Sequence, residues 1–178
     1  HKKEAEFCFN KLDDAIYTGD KRPNFLFSWN ITKQHFSPEN IKIIHIIRDI
    51  EDIALSYCKR ALNDKDKWHE NRDHKTAIHE TNHNNEVLKG ILNDPLWKDS
   101  VLIVNYNDFF SSKALVEKVF QALNLTISAD LSKEIDTFLE SSQKILKKDR
   151  HLSKHQQRYI DKNFDQELHN TIKTYALQ

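Results

Sequence analysis

Apolar and polar positions divide the chain into short periodic blocks, two of which read as strands. Ile41 to Ile47 is β-branched and nearly continuous, broken only by Lys42 and His45. Such a run suits a strand covered on both faces in the middle of a parallel sheet. From Ile50 the period becomes helical, with Ile53, Ala54, Tyr57, Cys58, Ala61 and Leu62 recurring. Asp49, Glu51 and Asp52 fall in its first turn, where the helix dipole favours carboxylates. Residues 41–63 are therefore expected to run strand, tight turn, helix. Val101 to Tyr106 is a second buried strand, followed by a helix containing Ala114 to Leu123 that Ser111 or Ser112 caps.

The remaining blocks are mostly helical. Glu4 to Tyr17 carries Phe7, Cys8, Leu12, Ala15 and Ile16 at helical spacing, with Gly19 as a stop. Asn24 to Trp29 is a short apolar run after Pro23 and reads as a buried strand, with a short helix or turn over Ile31 to Phe36 behind it. Lys65 to Asn85 is polar, and Ile78, Val87, Leu88, Ile91 and Leu92 mark a helix more buried toward Gly90, ended by Asn93-Asp94-Pro95. Helices from about Ser132 to Leu146 and from Lys154 to Tyr175 finish the chain. The order implies one domain over residues 1–178. Its class is α/β, a small parallel sheet flanked by helices with a helix-rich C-terminal part.

Composition narrows the function more than the fold. Within 178 residues, 27 basic side chains balance 27 acidic ones, so no global field draws in nucleic acid or an anionic membrane, and phosphate binding must be local. No apolar run approaches the roughly 20 residues that span a bilayer. Cys8 and Cys58 sit in apolar helical patterns and read as buried thiols, so nothing asks for an oxidising compartment. The chain reads as soluble and cytoplasmic. Two glycines exclude a phosphate loop of the G-x-x-x-x-G-K type from these residues.

Chemistry concentrates where the first strand turns into its helix. A charged residue there lies at the carboxyl edge of the sheet, where open α/β sheets bind ligands. Arg48 is that residue; its guanidinium can grip a phosphate through two parallel hydrogen bonds beside the free N–H groups of the following helix. Ser56, eight residues on, reaches the same ligand if that ligand lies along the helix flank. Spacing alone equally fits a salt bridge from Arg48 to Asp49 or Asp52 with Ser56 facing solvent.

Ile43 to Tyr57, with Arg48, Asp49, Asp52 and Ser56 in R-D-x-x-D-x-x-x-S spacing, resembles the 3′-phosphate-binding segment of the sulfotransferases that use 3′-phosphoadenosine 5′-phosphosulfate (PAPS). Ile50 stands where that family has proline. Val101 to Phe109 is similar to the family's later strand ending in Y-E-D-L, followed by a helix and Leu123-Asn124-Leu125. The resemblance covers about residues 21–125. It implies a P-loop-like sulfotransferase fold with Arg48 and Ser56 on the 3′-phosphate, Tyr106 near the adenine, and PAPS as the cofactor. The implied reaction passes a sulfuryl group to a hydroxyl or amine of a small-molecule, carbohydrate or peptide acceptor.

The chain also departs from the family. The first strand and phosphosulfate loop would precede His1, and Lys147 to Arg150 lacks the glycine of the family's returning basic segment. The family's base lies near the region that here runs Ser28-Trp29-Asn30; Asn30 cannot accept a proton, and His35 is the nearest titratable side chain. The catalytic residues stay unassigned, and a catalytically degenerate nucleotide-binding or protein-interaction module is the first alternative. A zinc-dependent hydrolase is the second, because His79-Glu80-Thr81-Asn82-His83 fits H-E-x-x-H, a helix turn with two metal ligands and a base.

Overall fold

The computed structural model of the chain describes residues 19, 21, 25–63, 65, 66, 69, 71–146 and 151–178, without the side chains of 143–146. The helix expected over Glu4 to Tyr17, the thiol of Cys8 and the basic run Lys147 to Arg150 lie outside the described residues. The described elements, in order, are α1 (Trp29–His35), β1 (Ile43–Ile47), α2 (Ile50–Ala61), α3 (His74–Asn93), β2 (Val101–Asn105), α4 (Tyr106–Phe109), α5 (Lys113–Ala122), α6 (Ala129–Leu146), α7 (Lys154–Asn163) and α8 (Gln166–Lys173). The result is α/β with a small parallel sheet and mostly helices.

β1 and β2 pair in parallel, Ile43 opposite Val101 through Ile47 opposite Asn105, with α2 and α3 forming the crossover. One face of the pair buries Ile43, Ile47, Val101 and Ile103 against Leu88 and Ile91 of α3 and Leu168 and Ile172 of α8. Trp29 and Trp97 close the lower end of this core, ring edge to face at 4.8 Å. On the other face Val104 packs against Leu115 and Val119 of α5, and Val116 carries that packing on to Ile135 and Leu139 of α6. A third cluster joins α2, α3 and α7 through Ile50, Ala54, Ala77, Ile78 and Ile160.

Four expectations change. Phe25–Ser28 is a 3₁₀ turn leading into α1, where a strand was expected. Leu26 and Trp29, three apart, face the core while Phe27 stays 46 % exposed, a helical spacing that overrides the β propensity of the run. β1 is not covered on both faces: Ile44 and Ile46 are each 45 % exposed, and β2 is the only strand it pairs with among the described residues. The helix expected over Lys154 to Tyr175 is two helices, because Phe164 is extended and Asp165 caps α8 by accepting from the Leu168 N–H. Cys58 is free and half-buried, its Sγ accepting from Gln156 Nε2 at 3.3 Å and lying 3.9 Å from His74 Nδ1. Ser112, rather than Ser111, supplies the cap of α5.

Candidate anion site at the carboxyl edge of the sheet

The two strands end side by side, so the residues that follow them meet. Arg48 comes directly after β1 and Tyr106 directly after β2, and the guanidinium carbon of Arg48 lies 4.4 Å from the centre of the Tyr106 ring. The guanidinium is therefore held on one side by an aromatic surface, an attraction reinforced by the negative face of the ring. Its Nε donates to Asp52 Oδ2 at 3.3 Å, one turn into α2. The two terminal nitrogens have no hydrogen-bond partner among the described residues, and the side chain is 21 % exposed. Asp52 and Tyr106 thus fix the plane of the group from the Nε side and the ring side, and leave the outward N–H groups available to a planar or tetrahedral anion.

The start of α2 completes the arrangement. Asp49 is its N-cap residue, but its side chain makes no cap hydrogen bond. The carboxylate turns instead to Lys173 of α8. The first backbone bond of α2 is from the Ile53 N–H to the Asp49 carbonyl, so the N–H groups ahead of it lie beside Arg48 with no side-chain cap and keep their partial positive charge. Lys173 adds a second cation at this edge. Two carboxylates, Asp49 and Asp52, offset the two cations, which explains how the charges sit together before any ligand arrives.

Ser56 is not brought into this contact. It lies four residues after Asp52 on the same face of α2, about 6 Å further along the helix axis, and its hydroxyl has no partner among the described residues. A ligand reaching both Arg48 and Ser56 must lie along the flank of α2. His35 and Asn30 sit exposed on α1, whose contacts are with the opposite end of the sheet through Trp29.

Behind the site lie two histidines, His169 buried and His45 partly buried. His169 is 1 % exposed and its Nδ1 lies 3.2 Å from the amide nitrogen of Asn85, itself 1 % exposed. The amide can only donate, so the imidazole proton is on Nε2, a buried donor without a partner. Burial, then the nearby Lys173 charge, push His169 down to about 4, with Asp49 opposing. His45 of β1 is pushed down to about 4 by burial and by His169. Both rings are neutral near pH 7 and act as packing.

The H-E-x-x-H residues are divided among other contacts. Glu80 accepts from the Tyr57 hydroxyl at 2.6 Å and from Arg72 Nη2 at 2.6 Å, while the His83 ring stacks on Phe27 at 4.2 Å and His79 is exposed. Burial and then the bond to Glu80 hold the Tyr57 hydroxyl up at about 12. Among the described residues no three His, Cys, Asp or Glu side chains are grouped to hold a metal ion.

Sequence reasoning named Arg48, Ser56 and Tyr106 but missed Lys173, which no local pattern marks. The Arg48–Asp52 pairing was readable as an i, i+4 spacing; that it would use only Nε was not. No family model matches the chain, and no curated protein or solved structure matches it either. No helix among the described residues is long and apolar enough to cross a membrane.

Proposed function

We propose that the carboxyl edge of β1 and β2 binds the 3′-phosphate end of a phosphoadenosine nucleotide, and that the chain belongs to the working part of a PAPS-dependent sulfotransferase. The observation that carries this reading is the guanidinium of Arg48, clamped by Asp52 and Tyr106 with its outer nitrogens free beside the uncapped start of α2. Its bond to Asp52 uses only Nε and leaves both terminal nitrogens for a second acceptor. The spacing of Arg48, Asp52 and Ser56 and the place of Tyr106 agree with the resemblance drawn from the sequence.

When bound, PAPS supplies an activated sulfuryl group for transfer to a hydroxyl or amine. The residues of this chain neutralise and orient. Arg48 takes two phosphate oxygens, the first-turn N–H groups of α2 add to the positive potential, and Lys173 can leave Asp49 for an incoming anion. Ser56 serves a ligand extended along α2, and Tyr106 offers its ring to the base. None of the described side chains holds a position that marks it as the proton acceptor.

The test is calorimetric and thermal titration with adenosine 3′,5′-bisphosphate. The wild-type chain should bind and gain thermal stability, as any ligand selective for the folded state requires. Arg48→Ala should lose at least tenfold in affinity, and Arg48→Lys should recover little, because an ammonium cannot hold Asp52 and a forked phosphate together. No shift with wild type at millimolar ligand would sink the reading.

A further inference from the structure

The turn of α3 that matches H-E-x-x-H parts its glutamate from its histidines. Glu80, which such a motif uses as a base, gives one carboxylate oxygen to the Tyr57 hydroxyl and the other to Arg72 Nη2. His79 and His83 have no such commitments. Four residues apart on a regular helix, they lie one above the other on the same side, with Cβ atoms about 5–6 Å apart. His79 is exposed and His83 partly buried, and neither has a hydrogen-bond partner among the described residues. The contact His83 does make is with Phe27, ring centres 4.2 Å apart and planes inclined by 30°. Stacking uses the face of the imidazole and leaves both nitrogens, which lie in the ring plane, uncommitted. It also orients that ring in advance. Ala77, Ile78, Asn85 and Leu88 are buried on either side of this turn, so the backbone that carries the pair is held in place.

We infer that His79 and His83 form a two-histidine site for a divalent transition-metal ion, copper(II) before nickel(II) or zinc(II). Imidazole nitrogen suits all three ions, and affinity among them peaks at copper. Two ligands on one helical turn act as a chelating pair, because once the first holds the ion the second meets it at high effective concentration. No third His, Cys, Asp or Glu side chain is grouped with them among the described residues, so the ion's other positions are left to water. With both oxygens of Glu80 engaged, the pair captures an ion without a base to activate that water. None of these residues belongs to the anion site, so the inference stands apart from the nucleotide reading.

Copper(II) chloride titrated into the 178-residue chain decides it, by calorimetry and by paramagnetic broadening of backbone amides. Below one equivalent the broadening should centre on residues 79–83 of α3. His79→Ala, at an exposed position, and His83→Gln should each weaken this binding at least about tenfold, because either leaves a single ligand. Arg48→Ala should leave it unchanged. Copper should also raise the thermal midpoint of the wild-type chain, as a ligand selective for the folded state does, and should not raise that of His79→Ala. Nickel(II) and zinc(II) chlorides should bind more weakly than copper at the same turn. The pair is refuted if either histidine variant binds copper within twofold of wild type. It is refuted equally if the broadening spreads over the remaining eight of the ten histidines, which would make the ion adventitious.

Discussion

β1 and β2 are built from nearly the same kind of sequence, Ile-Ile-His-Ile-Ile and Val-Leu-Ile-Val-Asn, and finish in different surroundings. β2 buries Val101, Ile103 and Val104, with α5 over one face and α8 over the other. The last residues of the chain run along its outer edge, where Leu177 N–H donates to the Ile103 carbonyl at 2.9 Å. β1 shares only the inner face. On its outer face Ile44 and Ile46 stay 45 % exposed, and that face leads directly to Arg48. Apolar content therefore specifies a strand, but position beside α5 specifies which strand becomes core. The cover that buries β2 stops short of β1, and the proposed anion site sits where the cover ends.

The comparison can be broken by truncating one isoleucine from each strand. Ile103→Ala, at 2 % exposure, should cost about 2–5 kcal/mol in urea unfolding, whereas Ile46→Ala should cost less than about 1 kcal/mol. Equal costs would show that the outer face of β1 is covered after all. The shared inner face can be probed by pH. Imidazoles held down at about 4 when folded take up protons on unfolding from about pH 6.5 downward. Stability contributed by neutral His45 and His169 is thus complete above about pH 6.5 and is lost as the pH falls toward 4. The loss should run at up to about 1.4 kcal/mol per pH unit for each histidine, read as the urea midpoint against pH. His169→Leu should flatten the profile; an unchanged slope would remove His169 from the account. The smallest effect belongs to the clamp of Arg48. Asp52→Asn should change stability by no more than about 0.5 kcal/mol, as i, i+4 helix pairs do, while weakening bisphosphate binding several-fold by freeing the guanidinium plane. Loss of stability without loss of affinity would make Asp52 a structural partner only.

Much of the local structure was legible. The strands over 41–47 and 101–106, the turn into α2 and the long α3 follow from periodicity and the β-branched runs, which act over a few residues. The reading of residues 24–29 as a strand failed because a short, mostly apolar run looks the same whether it pairs or coils; Trp97 and Leu88 decided it by joining one core with Leu26 and Trp29 at helical spacing. Arg48 was legible as the charged residue at a strand end, and Ser56 by its spacing along α2. That Arg48 rests on Tyr106 and that Lys173 draws Asp49 away from the α2 start were not legible, since each joins segments far apart in the chain.

By itself, then, the sequence determined an α/β chain with two parallel-type strands, a polar crossover and a cation placed at the first strand's end. Those features depend on the preferences of neighbouring residues and on a pattern of period two or 3.6. The tertiary structure alone decided that the cation has an aromatic backing and a carboxylate on its Nε, and that one face of β1 stays open beside it. Such features depend on which side chains meet across the sheet, and burial of β2 by α5 and α8 sets those meetings without leaving a trace in the local pattern.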